Sequence, residues 1–367
     1  MKRFEVGLLS TLVLFLFSPA SAWALSGTLD EWNISPWEPY DIAILDDSSV
    51  WLTYRGNNVI HFDPVTATAT TYGSPHADSD FWTLDRAPDN TLWIADGAAE
   101  ARIMQFDPSS LGFVGTGYVL PDSLFGPSAK PTGITVAPDG SVWFTNEVDR
   151  SIGRLDPAIP GGDFQRFPDV GESLPDIPND IAFATDGTAW FTVGHGVAPS
   201  VNRITGTGDI ESWTIPDLTS PFGINLLGDE VWFLDHQANL LVQFDPSSED
   251  FDIFAVPMPE LQDAHYFVVD ENEIFWMTAF VGNNIGTFDP TTEMFDFLAL
   301  RPNAWPMGIA LSPTGEIWFA EDWSAENAGV GRLIPTAAEP VPEPSTILLF
   351  VSGLAGLVGF RRRLRMK

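Results

Sequence analysis

One stretch recurs seven times along the chain and restricts its fold more than any other feature of the sequence. The clearest copy runs Pro131-Thr132-Gly133-Ile134, Pro138-Asp139-Gly140-Ser141, Val142-Trp143-Phe144-Thr145 and Ser151-Ile152-Gly153-Arg154-Leu155-Asp156-Pro157, and closes on Asp163-Phe164-Gln165-Arg166-Phe167-Pro168. The unit reads as four short strands. Asp139-Gly140 marks a hairpin turn, and the β-branched and aromatic run Val142 to Thr145 is a strand. Asp156-Pro157 ends the third strand because proline has no ladder donor. The central tryptophans, Trp51, Trp93, Trp143, Trp190, Trp232, Trp276 and Trp318, recur about every 44 residues. Four strands at that period define a propeller blade. A single blade leaves both faces bare, so the Trp-Phe pairs are expected to pack between blades.

The seventh unit runs Pro306-Met307-Gly308-Ile309, Ile317-Trp318-Phe319-Ala320 and Val330-Gly331-Arg332-Leu333, then stops without a fourth strand. The missing strand stands near the other end of the chain, as Leu29-Asp30-Glu31-Trp32-Asn33-Ile34, which matches Ile210-Glu211-Ser212-Trp213-Thr214-Ile215 in unit four. The expectation is an all-β, seven-bladed propeller over residues 27–335, its ring closed by the N-terminal strand so that no sheet edge is left open. Residues 109–130, rich in glycine and proline, read as a surface loop. No unit carries a helical period.

The two ends read as targeting segments. Lys2 and Arg3 precede an apolar run from Val6 to Phe17 and the small-x-small site Ala22-Trp23-Ala24, so residues 1–24 are expected to be a signal peptide. At the other end, a linker over residues 336–346 leads into an apolar stretch, residues 347–360, and a basic tail, residues 361–367. The apolar stretch is short for a membrane span, and its arginines would stay cytoplasmic. Seven of the 17 Lys and Arg residues lie in these two ends, so the body between them is more acidic than the net charge of −33 suggests. That disfavours nucleic acid and anionic membrane surfaces as partners. The absence of cysteine excludes a disulfide framework and thiol chemistry.

In a propeller, ligands meet the residues before each first strand and after each second strand. The position before Gly-Ile holds Tyr40, Trp82, Thr132, Asn179, Phe222, His265 and Met307. This variation on a regular scaffold is the pattern of a grafted site.

The C-terminal segment, Val341-Pro342-Glu343-Pro344 with its apolar run and arginine cluster, resembles the PEP-CTERM sorting signal. The resemblance implies processing by an exosortase-type enzyme, transient anchoring through the C-terminal helix, and display on the surface or matrix of a Gram-negative cell. The repeats, through Pro-x-Gly-Ile, Asp-Gly-x-Val-Trp-Phe-Thr and Ile-Gly-Arg-Leu, resemble the virginiamycin B lyase family, which opens a cyclic depsipeptide at its ester by Mg2+-assisted elimination. His265 stands at the histidine of the family's sixth-blade motif and is the catalytic candidate. Glu321 and Asp322 stand nearest the family's blade-seven metal carboxylate and are the Mg2+ candidates. Met307 replaces the family's second histidine, and Trp305 replaces a glutamate. His61, His76, His195 and His236 fall elsewhere in the repeat.

Three functions are carried forward. The first is an exported surface propeller that binds an extracellular polymer, glycan or small peptide. The second is a lyase of the streptogramin type. The third is a lactonase like the SMP-30 group, with a central metal on Asn179, Asp180 and Glu321.

Overall fold

Proline stands at or beside the start of five of the seven first strands, at Pro39, Pro131, Pro178, Pro221 and Pro306. The ladder there lacks a donor, and the register slips at that point. In blade three Pro131 pairs with Asn146, but Ile134 pairs with Phe144. The same slip occurs in the other six blades, including those that begin Phe81 and Ala264. The irregularity therefore belongs to the fold, and proline suits it. A bulge of this kind re-aims side chains, here at the variable position before Gly-Ile.

The structure is a computed structural model that describes residues 27–169, 171–214, 218–321 and 328–336. The expected signal peptide, apolar helix and basic tail lie outside these residues, as does the linker apart from Thr336. Among the described residues no helix is long and apolar enough to cross a membrane. Seven antiparallel sheets form the seven blades. They occupy residues 39–73, 81–119, 131–167, 177–214, 221–255, 264–299 and 306–335. The last takes its fourth strand, Gly27–Asn33, from the N-terminal end, paired from Gly27 with Pro335 to Asn33 with Gly329.

Alternation along the second strand supplies the glue. Trp143 packs forward with Ile181 and Phe191 of blade four, while Phe144 packs back with Trp93 and Ile103 of blade two. Such a two-faced strand is the expected result of period two. Each buried tryptophan contributes about 2–3 kcal/mol. The glycine of Ile-Gly-Arg-Leu has a steric role: a Cβ on Gly153 would lie 2.0 Å from Phe144 Cζ, and one on Gly331 would meet Phe319 at the same distance. The Asp-Pro pairs cap turns, as when Asp63 Oδ1 accepts from the Val65 N–H at 2.8 Å.

The threonine after Trp-Phe ties neighbouring blades together. Thr53, Thr192 and Thr278 donate to the carbonyls of Trp82, Phe222 and Met307 in the next blade, at 2.6, 2.6 and 2.7 Å. The ring closes on Trp32, which stacks on Trp318 at 5.8 Å and meets Phe62 of blade one at 5.2 Å. Arg332 of the neighbouring strand holds the same strand through Asp30, at 2.6 Å.

One expectation changes. The insertion after Asp107 is more than a loop. It supplies blade two's outer strand as two fragments, Gly112–Phe113 and Tyr118–Val119, and one helical turn, Asp122–Phe125. Gly115 and Gly117 interrupt the strand with φ of 66° and 79°. The turn buries Phe125 against Phe144 and Phe164.

Candidate functional site

The bulges bring the variable position of five blades to one cavity at the channel mouth, about 450 Å³ in volume. Tyr40, Trp82, Thr132, Asn179 and Phe222 line it, joined by Tyr266 and His195. At its blade-two side, Trp82 is flanked by two cations, Arg55 at 4.2 Å and Lys130 at 4.6 Å, with Tyr40 edge-on at 5.5 Å. Lys130 is paired to Glu147 at 2.7 Å. Arg55 is exposed.

Beside the cavity stands a cluster of histidines, of which His195 lines it. His265 leads blade six, its Nδ1 on the Asp263 carbonyl at 3.0 Å. Phe222 sits edge-on to it at 5.0 Å. The sequence placed no second histidine beside it, but the fold does. His236, from the loop after blade five's second strand, stacks on His265 at 4.4 Å, and His195, from the equivalent place in blade four, lies 5.6 Å from His236. A hydrogen-bonded chain joins them. Asp263 Oδ1 is 2.7 Å from His236 Nδ1, His236 Nε2 is 2.9 Å from Ser220 Oγ, and Ser220 Oγ is 3.0 Å from His195 Nδ1. With Asp263 ionised, one order of protons satisfies every link. His236 Nδ1–H donates to Asp263, Ser220 O–H donates to His236 Nε2, and His195 Nδ1–H donates to Ser220. That order leaves the lone pair of His195 on Nε2, which lies 3.4 Å from Ser220 Oγ. Ser220 is fully buried, whereas His195 is exposed at the cavity.

Burial, then the charge of His236, pushes His265 down to about 4; the same two causes hold His195 below the usual histidine range. Burial works against the charge of Asp263, but the His236 hydrogen bond and the nearby histidine charges together hold it low. His195 and Asp263 have φ of 73° and 64°. Those left-handed turns, absent from any sequence motif, are part of what lets blades four, five and six meet here.

The axial channel carries carboxylates that staple first strands. Asp41 accepts from the Leu84 N–H at 3.0 Å, Asp85 from Val136 at 2.8 Å and Asp180 from Ile224 at 3.1 Å. Burial pushes Asp41 up to about 7 and Asp180 up to about 6, despite these bonds.

Of the two expected Mg2+ residues, only Glu321 is among the described residues, and its surroundings do not suit that ion. Glu321 is wholly buried and paired with Arg301, close to Glu31. Burial is the leading cause that pushes it up to about 9, against the pull of Arg301. Mg2+ takes ionised, water-facing oxygens. Asp322 lies outside the described residues. Met307, in the place of the family's second histidine, is buried and has no acid-base group. The residues weighed for a lactonase metal are engaged separately: Asn179 Nδ2 donates to the Pro221 carbonyl at 2.6 Å, and Asp180 accepts from Ile224.

Comparison with known proteins agrees with the fold. The model of the virginiamycin B lyase family matches residues 28–330, and the PEP-CTERM protein-sorting motif matches residues 340–363. A curated virginiamycin B lyase from Nocardia farcinica (strain IFM 10152) is 27% identical over 223 residues, which are 60% of this chain and 70% of that protein. The crystal structure of virginiamycin B lyase from Staphylococcus aureus superposes with a TM-score of 0.72 at 25% identity, covering 85% of this chain and all of that one. A catalytically inactive variant of the same enzyme, solved with quinupristin, matches equally well. Hydrazine synthase from Kuenenia stuttgartiensis, 14% identical with a TM-score of 0.66, shares the fold alone. The sorting motif points to export and cell-surface sorting by an exosortase-type system. By the extent of the family match and the repeats that carry it, this chain belongs to the virginiamycin B lyase family.

Proposed function

We propose that the propeller works outside the cell as a ligand-binding protein whose site is the channel-mouth cavity. One observation carries the reading: side chains at the same bulged position of five blades converge on a single cavity. Its size suits a small ligand or the end of a polymer. Two of the few cations in an acidic chain flank Trp82 there. That corner favours a ligand with a carboxylate, such as an acidic glycan or a peptide C-terminus.

A second reading is a lyase acting on a cyclic ester. It is favoured by His195, which lines the cavity, and by His265 at the family's histidine position. Elimination needs a base near the acidic proton and a donor for the leaving oxygen, and the three clustered histidines offer both.

Tryptophan fluorescence of the full chain, titrated with uronate oligosaccharides, neutral oligosaccharides and short peptides, tests the first reading. Saturable binding of an acidic ligand that is lost in Arg55→Ala and Trp82→Ala is the expected result. Binding that ignores both substitutions refutes it. Turnover of cyclic depsipeptides, measured with and without divalent cations in wild type and His195→Ala, tests the second. No turnover in wild type removes it.

A further inference from the structure

We propose that His236, Asp263 and His265 form a binding centre for a borderline divalent cation, Zn2+ before others, at the boundary of blades five and six. One donor atom from each residue lies within 4.8 Å of the other two. Asp263 Oδ1 is 2.7 Å from His236 Nδ1 and 3.9 Å from His265 Nδ1. Metal–ligand bonds of about 2.0–2.1 Å at a tetrahedral angle set donors about 3.3 Å apart. The two separations from Asp263 straddle that value, and the two histidine donors lie within 4.8 Å of each other, so small side-chain movements bring the three donors onto one ion.

Two imidazoles and one carboxylate suit Zn2+, Co2+ or Ni2+ and suit Mg2+ poorly, because Mg2+ prefers oxygen ligands and retained waters. The donors are enclosed, with side-chain exposures of 10, 23 and 12% for His236, Asp263 and His265. Phe222 and Phe280 stand edge-on around His265. A second layer is already built. Ser220 Oγ holds His236 Nε2, and Asn239 Oδ1 accepts from the Asp263 N–H at 3.0 Å. Such outer partners orient metal-ligating histidines.

The protons balance on binding. Each imidazole keeps one proton, moved from Nδ1 to Nε2. His236 then donates to Ser220, whose hydroxyl turns to His195 Nδ1 as the His195 proton moves to Nε2, and His265 gives up its Nδ1 bond to the Asp263 carbonyl. Three protein ligands leave a fourth position open, as in catalytic rather than structural zinc sites. The centre is distinct from the blade-seven carboxylates, where Glu321 is closed off by Arg301.

The test needs no knowledge of the cavity's ligand, so it stands or falls apart from the binding reading. The full chain in mild detergent is stripped with chelator, then titrated calorimetrically with Zn2+ and separately with Mg2+. One Zn2+ per chain, a Tm that rises with Zn2+, and no Mg2+ binding at the same concentrations are expected. Co2+ should give the visible absorption of a low-coordinate site. His236→Gln and Asp263→Asn, which keep side-chain volume, should abolish the site, and Ser220→Ala should weaken it about 10- to 100-fold. Glu321→Gln should leave it intact. Circular dichroism and Tm of each variant without metal separate lost binding from lost folding. No Zn2+ binding by the wild type overturns the proposal, as does Zn2+ binding that survives both His236→Gln and Asp263→Asn in folded protein.

Discussion

Trp32→Ala tests ring closure most directly. Trp32 belongs to the strand Gly27–Asn33, which joins the seventh blade only by non-covalent pairing across the ends of the ring. Its half-buried indole covers Trp318 and Phe62 and lies under Arg332, 5.5 Å away. Half-burial of so large a ring contributes about 2 kcal/mol, and the aromatic stack adds about 1 kcal/mol. The compact unit spans residues 25–336. At about 2.1 cal/mol/K per residue over about 310 residues, the unfolding entropy is about 0.65 kcal/mol/K. A loss of about 3 kcal/mol therefore lowers Tm by about 5 °C. Differential scanning calorimetry reads this, with Trp213→Ala as control, since Trp213 holds the same place on Trp190 at 5.6 Å in an uninterrupted blade. Trp32→Ala should also make the N-terminal strand more open to protease, and Trp213→Ala should not. A Tm unchanged within about 1 °C, or equal protease sensitivity in the two variants, refutes closure by this strand.

Gly153→Ala should destabilise by about 1–3 kcal/mol in urea unfolding, because its Cβ meets the Phe144 ring; Phe144→Leu in the same chain should recover part of the loss. Thr192→Val leaves the Phe222 carbonyl without its donor, and a cost of about 1–2 kcal/mol should appear in the same assay. Asp41 has a folded pKa raised to about 7, so its protonated form contributes stability that is present below the unfolded value near 4 and is lost as pH rises through 7. Asp41→Asn should therefore leave stability nearly unchanged at pH 4 and raise it at pH 8, by on the order of 1 kcal/mol after screening by channel water; a lower Tm at pH 8 counts against the assignment. His265 shifts the other way, to about 4, so its contribution is complete above pH 6.5 and lost as pH falls toward 4, and His265→Phe should flatten that acid limb.

The scaffold was legible because its causes are local. Trp-Phe at a fixed period marks strands with two apolar faces, Asp-Gly marks their turns, and the unit without a fourth strand pointed to residues 29–34. The place before Gly-Ile was also readable as a site position. Other features had only partial signals. The threonine after Trp-Phe was visible in the repeat, but its partner lies in the next blade, so its bond could not be read. The insertion after Asp107 looked like a loop because its glycines break the outer strand into two-residue pieces too short to carry a pattern.

The sequence alone determined how many blades there are, how the ring closes and which position of the repeat reaches the channel mouth in five of the blades, since these follow from periodicity and from the need to bury both faces of every sheet. Only the tertiary structure decided which side chains cluster beside that mouth. His195 and His236 follow the second strands of blades four and five, and Ser220, Asp263 and His265 stand at the starts of blades five and six. No single repeat holds them all. They meet because the blades wrap a common axis, and because bulged first strands and left-handed turns at His195 and Asp263 aim them at one another. The same packing buries Glu321 against Arg301, a neighbour its place in the repeat did not reveal.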